Sequence, residues 1–146
     1  MGRGAGQHGR ARGGNTSARL TLATTMRRDR HVILVVDDDH DLRESLREIL
    51  EEEGFETVGA SNGREAIEFL RREGQTRPRV ILLDIMMPVM TGLEMIERLH
   101  RDVPFISTPV VFMTAFRTLV KTDERTRVLY KPFSIDCVLS AIRQAC

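Results

Sequence analysis

Val80-Ile81-Leu82-Leu83-Asp84-Ile85-Met86-Met87-Pro88-Val89-Met90-Thr91-Gly92 is the stretch that decides the fold. An apolar run that ends on a carboxylate and opens into a loop punctuated by Pro and Gly reads as a buried strand. It presents an acid at the carboxyl edge of a sheet, where open α/β folds bind ligands. Three further strand ends match it: Val32-Ile33-Leu34-Val35-Val36 runs into Asp37-Asp38-Asp39, Val110-Val111-Phe112-Met113 into Thr114, and Val128-Leu129-Tyr130 into Lys131-Pro132-Phe133. Four strands thus deliver carboxylates, a hydroxyl and an ammonium to one rim. Each alone has an ordinary explanation, since acids and Thr after strands cap helices or turns and a Lys before Pro is usually a solvated loop cation. Indeed one of Asp37, Asp38 and Asp39 is expected to cap the helix that His40-Asp41-Leu42 opens. The ordinary explanations do not account for all four in succession.

Between these strand ends the chain alternates in pattern, which implies βαβ units and a parallel sheet covered on both faces. Leu42, Leu46, Ile49 and Leu50 mark a helix from about 40 to 53, stopped by Gly54. Glu56 to Ala60 gives a short second strand, and Asn62-Gly63 opens a helix carrying Ala66, Ile67, Phe69 and Leu70. Gly92 to about Arg101 is a third helix with Leu93, Ile96 and Leu99 as its apolar stripe. A last helix from Ser134 onward aligns Ile135, Val138, Leu139 and Ile142. Right-handed crossovers wind these into a doubly wound five-stranded α/β sheet of order 2-1-3-4-5. That order puts Asp37 and Asp38 beside Asp84 at the switch point, with Thr114 and Lys131 on the neighbouring strand ends.

The 146 residues, 41% of them hydrophobic, hold one domain with a core of its own and hardly two. No apolar stretch approaches the roughly 20 residues that span a bilayer, and no charged-then-apolar leader precedes a cleavage site. The chain reads as a cytoplasmic protein with no membrane partner. Cys137 and Cys146 fit neither a disulfide framework nor a four-ligand zinc site, so Cys137 is expected to be a small core residue or a free thiol. The net charge of +1 hides an asymmetry: seven Arg and one acid fall within residues 1 to 31, leaving 15 Lys and Arg against 20 acids in the remainder. Six of the 11 glycines also lie there. Residues 1–30 are therefore read as a disordered basic extension, and residues 31–146 as the folded domain. A basic arm could bind nucleic acid or a membrane surface; a plain extension is preferred, partly because Met26 could itself begin a chain. Nucleic acid is not an expected partner.

Three carboxylates gathered at one switch point repel one another, each pair at 4 Å by roughly 4 kcal/mol at an effective dielectric of about 20. A cation must offset this. All-oxygen donors with no His or thiolate suit a hard divalent ion, and a site that keeps several waters suits magnesium. Lys131 supplies a second, covalently held cation.

Taken together, Val35-Val36-Asp37-Asp38, Leu83-Asp84 through Gly92, Thr114-Ala115 and Lys131-Pro132-Phe133 resemble the CheY-like receiver domain of bacterial two-component response regulators, from about residue 31 to 146. The resemblance implies a phosphorylation-controlled switch, not an enzyme acting on a separate substrate. It implies that Asp84 accepts a phosphoryl group from a sensor histidine kinase or phosphotransfer protein. By the same resemblance Asp38, Asp84 and the backbone carbonyl of Met86 ligate Mg2+, Asp37 holds metal-bound water, and Thr114 and Lys131 contact the phosphoryl oxygens. With no residues after the last helix, output is expected through contact with a downstream protein, and a homodimer is compatible with that.

The chain also departs from the family's pattern. Only 16 residues separate Thr114 from Lys131. The intervening stretch is rich in Thr, so a shortened or irregular fourth helix is expected across 116 to 126. The family's switch aromatic falls three residues before the lysine, where this chain has Val128, and Tyr130 is adjacent to the lysine instead. Two other readings compete. Asp37 and Asp39 have the spacing of the paired acids of aspartyl-phosphate phosphatases, but His40 and Asp41 follow where a small hydroxyl residue belongs. A pseudo-receiver that keeps the fold without phosphorylation conflicts with the complete acid, Thr and Lys set. No P-loop or dinucleotide fingerprint is present.

Overall fold

The computed structural model describes residues 31–72, 74, 76–102, 107–117 and 126–146. The basic segment 1–30 and most of the expected irregular helix across 116 to 126 lie outside the described residues. Within the unit His31–Cys146 the elements run β1 (Val32–Val36), α1 (His40–Glu52), β2 (Glu56–Ala60), α2 (Gly63–Arg71), β3 (Val80–Asp84), α3 (Gly92–Asp102), β4 (Val110–Thr114), β5 (Thr126–Tyr130) and α4 (Ile135–Ala145). The five strands form one parallel sheet in the order β2-β1-β3-β4-β5, so the doubly wound arrangement expected from the sequence is the one the chain adopts. No helix among the described residues is long and apolar enough to cross a membrane.

The central strands are near-continuous apolar runs because both faces of the sheet are covered. Every residue of β1 and β3 is buried. Successive side chains alternate faces: Leu34, Val36, Ile81 and Leu83 pack with Ile67, Met95 and Leu99 from α2 and α3. Ile33, Val35, Val80 and Leu82 pack on the other face with Leu46, Leu50, Val138 and Ile142 from α1 and α4. Each fully buried aliphatic side chain contributes about 1.5–3 kcal/mol, so the layers that hold the strand ends in register are the main source of stability.

Helix starts are fixed by side chains accepting from backbone N–H groups. Asp39 takes the Leu42 N–H at 3.1 Å, Asn62 that of Glu65 at 3.0 Å, and Ser134 that of Cys137 at 3.3 Å. Thr91 and Glu94 form a reciprocal capping box, Thr91 Oγ1 accepting from Glu94 N–H and Glu94 Oε2 from Thr91 N–H.

Two details differ from the sequence reading. Leu93 is exposed, and α3 instead buries Gly92, Met95 and Leu99, because packing on β3 selects the i, i+3, i+7 face. Strand β5 begins at Thr126, two residues before the apolar run, since parallel pairing with Val110 and Val111 extends it. Of the two alternatives the sequence left for Cys137, the chain adopts the free thiol, which is exposed.

Candidate functional site

Strands β1, β3 and β4 are adjacent, and the carboxyl ends of β1 and β3 bring three carboxylates together beside the hydroxyl that ends β4. Ligand atoms of Asp37, Asp38 and Asp84 all lie within 4.8 Å of one another, with Asp37 and Asp84 buried and Asp38 exposed. Asp37 follows the last residue of β1, its N–H donating to the Ala60 carbonyl of β2 at 3.2 Å. Asp84 closes β3 in register with Met113. Thr114 ends β4, fully buried, its Oγ1 accepting from the Phe116 N–H at 3.1 Å.

Lys131 reaches the same point from directly after β5, and the Lys131–Pro132 peptide that follows it is cis. Its Nζ donates to Asp37 Oδ2 at 2.8 Å and stands 3.5 Å from Asp84 Oδ2. The Lys131 N–H donates to the Thr114 carbonyl at 2.7 Å, which ties the lysine to the strand carrying the hydroxyl. Beside the ammonium, an open recess is lined by Leu42, Ala115, Pro132 and Phe133.

Burial pushes the Asp84 carboxyl above its ordinary value, and the neighbouring charge of Asp37 adds to this. Lys131 and the Met86 N–H, which donates to Asp84 Oδ1 at 3.3 Å, oppose the rise without cancelling it. For Lys131, burial works against the charged form, but the hydrogen bond and charge of Asp37, with the charge of Asp84, outweigh it and raise the ammonium above the usual lysine value. Among the described residues, three carboxylates thus face one ammonium at this site. Its donors are hard oxygens, one of them on an exposed residue, and they fit a small divalent cation that retains water.

The structure separates Asp39 from this cluster. Its side chain caps α1, which removes it from the paired-acid geometry of a phosphatase. Met86 and Phe116 flank the rim as exposed apolar side chains, 53% and 58% accessible. Val128 is half-buried against the core, whereas Tyr130 at the end of β5 carries the Arg117 guanidinium over its ring at 5.6 Å. Sequence reasoning missed Arg43, whose Nη1 donates to the Asp37 carbonyl at 2.7 Å. A polar-face arginine in an amphipathic helix carries no signal of such a contact.

An open parallel sheet with an acidic switch point, a strand-end hydroxyl and a lysine before Pro defines a class of phosphoryl-responsive α/β domain. The model of the response regulator receiver domain matches residues 33–143. The chain belongs to that family, and its function is that of a phosphorylation-controlled signalling switch. It is 33% identical over 117 residues to sporulation initiation phosphotransferase F of Bacillus subtilis, covering 77% of this chain and 90% of that protein. It is 37% identical over 117 residues to the transcriptional regulatory protein CrdR of Helicobacter pylori, again over 77% of this chain but only 53% of that protein, so it spans about half of that relative's length. Among solved structures it resembles the response regulator TrrA of Thermotoga maritima, in complex with Mg2+ and BeF, at a TM-score of 0.64 and 30% identity over 80% of this chain and 99% of that one.

Proposed function

We propose that Asp84 is the phosphoacceptor. A side-chain oxygen of Asp84 attacks the phosphorus of a phosphohistidine on a histidine kinase or phosphotransfer protein. The new O–P bond forms as the N–P bond breaks, and the electron pair of that bond returns to the imidazole of the donor. A carboxylate is a weak nucleophile, so the site's contribution is positioning and neutralisation of the transferred oxygens. Lys131 and Thr114 are the groups assigned to those oxygens, and the hydroxyl moves to them by giving up its bond from the Phe116 N–H. Asp37, Asp38, Asp84 and the Met86 carbonyl are assigned to Mg2+, which when bound supplies charge neutralisation for the phosphoryl group. The product carries about −1.5 to −2 charge, enough to draw Thr114 and its loop inward.

The observation that carries this reading is the convergence of three carboxylates within 4.8 Å around a lysine bridging Asp37 and Asp84. Support for magnesium comes from the all-oxygen donor set and from the similarity to a regulator whose solved complex contains Mg2+ and BeF. We assign residues 31–146 to the receiver and residues 1–30 to a separate extension, a cytoplasmic setting to the chain, and contact with a downstream protein to its output. Intact mass after incubation with MgCl2 and acetyl phosphate tests the assignment. The parent chain should gain one phosphoryl group and Asp84→Asn none; an equal gain in both would show the acceptor to lie elsewhere.

A further inference from the structure

Asp37 is held at four points. Its N–H donates to the Ala60 carbonyl at 3.2 Å, its Oδ1 accepts from the Asp39 N–H at 2.9 Å, its Oδ2 from Lys131 Nζ at 2.8 Å, and its carbonyl from Arg43 Nη1 at 2.7 Å. The first belongs to the sheet edge and the next two to the loop and the site. The fourth comes from a side chain six residues on, whose ion pair is with Glu44 at 3.7 Å and not with any of the three clustered acids.

Strand β1 ends at Val36, so the Asp37 carbonyl lies beyond the ladder on a fully buried residue. A buried carbonyl in that position needs a donor from elsewhere. Arg43 supplies it by folding back along α1. Its side chain is only 13% exposed, and its Nη2 pairs with His40 Nδ1 at 3.1 Å, so the guanidinium is fixed at both terminal nitrogens. Its stem runs beside Gly59 in β2, where an added Cβ would stand 3.4 Å from Arg43 Cδ, an ordinary contact, and closer, at 3.1 Å, to Arg47 Cδ.

We infer that Arg43 is a positioning residue for the metal carboxylates: by donating to the Asp37 carbonyl it fixes the peptide joining Asp37 to Asp38, and thereby the direction in which Asp38 presents its exposed carboxylate to the cluster. The inference rests on the magnesium reading above. It makes a prediction whose sign separates it from simple electrostatics. Arg43 is a cation near an acidic site, so by charge alone its removal should tighten Mg2+ binding. Positioning requires the reverse, because an unpinned 37–38 peptide scatters the donor set.

Amide chemical-shift titration of the full chain with MgCl2 reads this, with thermal unfolding in EDTA reporting on the fold. Arg43→Met should bind Mg2+ about tenfold more weakly than the parent, the lower end of what removing a ligand-orienting partner costs. Arg43→Lys, which keeps the charge and a single donor, should fall between them. Equal or tighter binding by a folded Arg43→Met would overturn the inference. Should that variant not fold, Arg43→Lys decides: weaker binding supports positioning and parental affinity refutes it. A parent chain with no Mg2+-dependent shifts would instead overturn the magnesium reading, and this inference with it.

Discussion

At the scale of single residues, Met86 and Phe116 occupy positions set by the site itself. The Met86 N–H bonds to Asp84 Oδ1 and the Phe116 N–H to Thr114 Oγ1, so each side chain rises from the rim beside an assigned phosphoryl contact. Neither side chain can hydrogen-bond strongly to water, and both stand beside groups assigned to the phosphoryl site, Asp84 and Thr114. The phosphorylated form should therefore be long-lived, because neither of these two side chains can orient the nucleophile. Met86→Asn combined with Phe116→Glu should speed phosphate release by at least about tenfold, within the range a positioned proton acceptor supplies. Decay of phosphorylated mass at fixed pH measures it, and an unchanged or slower rate contradicts the argument.

At the scale of elements, the β3–α3 loop holds two positions with opposite demands. Gly92 N–H donates to the Ile85 carbonyl at 2.9 Å, and a Cβ at Gly92 would lie 2.5 Å from the Asp84 carbonyl oxygen and 3.0 Å from Ile85 Cα. Backbone cannot swing aside as a side chain can, so Gly92→Ala should destabilise the domain by about 1–3 kcal/mol. Val89 has the reverse problem: it is exposed, at φ +70°, where a β-branched residue is strained. Val89→Gly should relieve about 1–2 kcal/mol of that strain against about 0.5–1 kcal/mol of added chain entropy, leaving stability equal or slightly raised. Urea unfolding of the two variants should give shifts of opposite sign or very unequal size. Asp84 and the loop after it were legible in the sequence because a buried parallel strand is an unbroken apolar run and Pro and Gly mark its exit. The strand order followed from alternation and handedness. The face of α3 was not legible, since Leu93, Met95, Ile96 and Leu99 offer two overlapping stripes and only packing on β3 chooses between them. Nor was the Arg43 contact, which depends on how far a flexible side chain folds back over a residue without one.

At the scale of the whole molecule, the site works against the fold that builds it. The sheet places two carboxylates in a buried position, and the raised Asp84 pKa means that the native state takes up a proton there more readily than the unfolded chain does. A folded pKa above the unfolded one contributes stability that is fully present below the unfolded value of 3.8 and lost as pH rises through the folded value. Without metal, the domain therefore loses stability at this residue as pH rises above 3.8 and through the folded value. Asp84→Asn removes that charge while keeping the side-chain shape, so its melting temperature in EDTA should exceed that of the parent by about 2–5 °C. The advantage should shrink as pH falls through the Asp84 pKa, where the parent becomes neutral as well. Mg2+ acts on the same imbalance from the other side: an ion that binds only the native state stabilises it by mass action, so the parent should gain melting temperature as MgCl2 is added. Asp84→Asn, with one assigned ligand weakened, should gain less, and the two curves should converge. Thermal unfolding across pH and MgCl2 concentration checks all three slopes. A parent more stable than Asp84→Asn in EDTA at neutral pH would show that Lys131 already neutralises the cluster, leaving no charge deficit for a metal to fill.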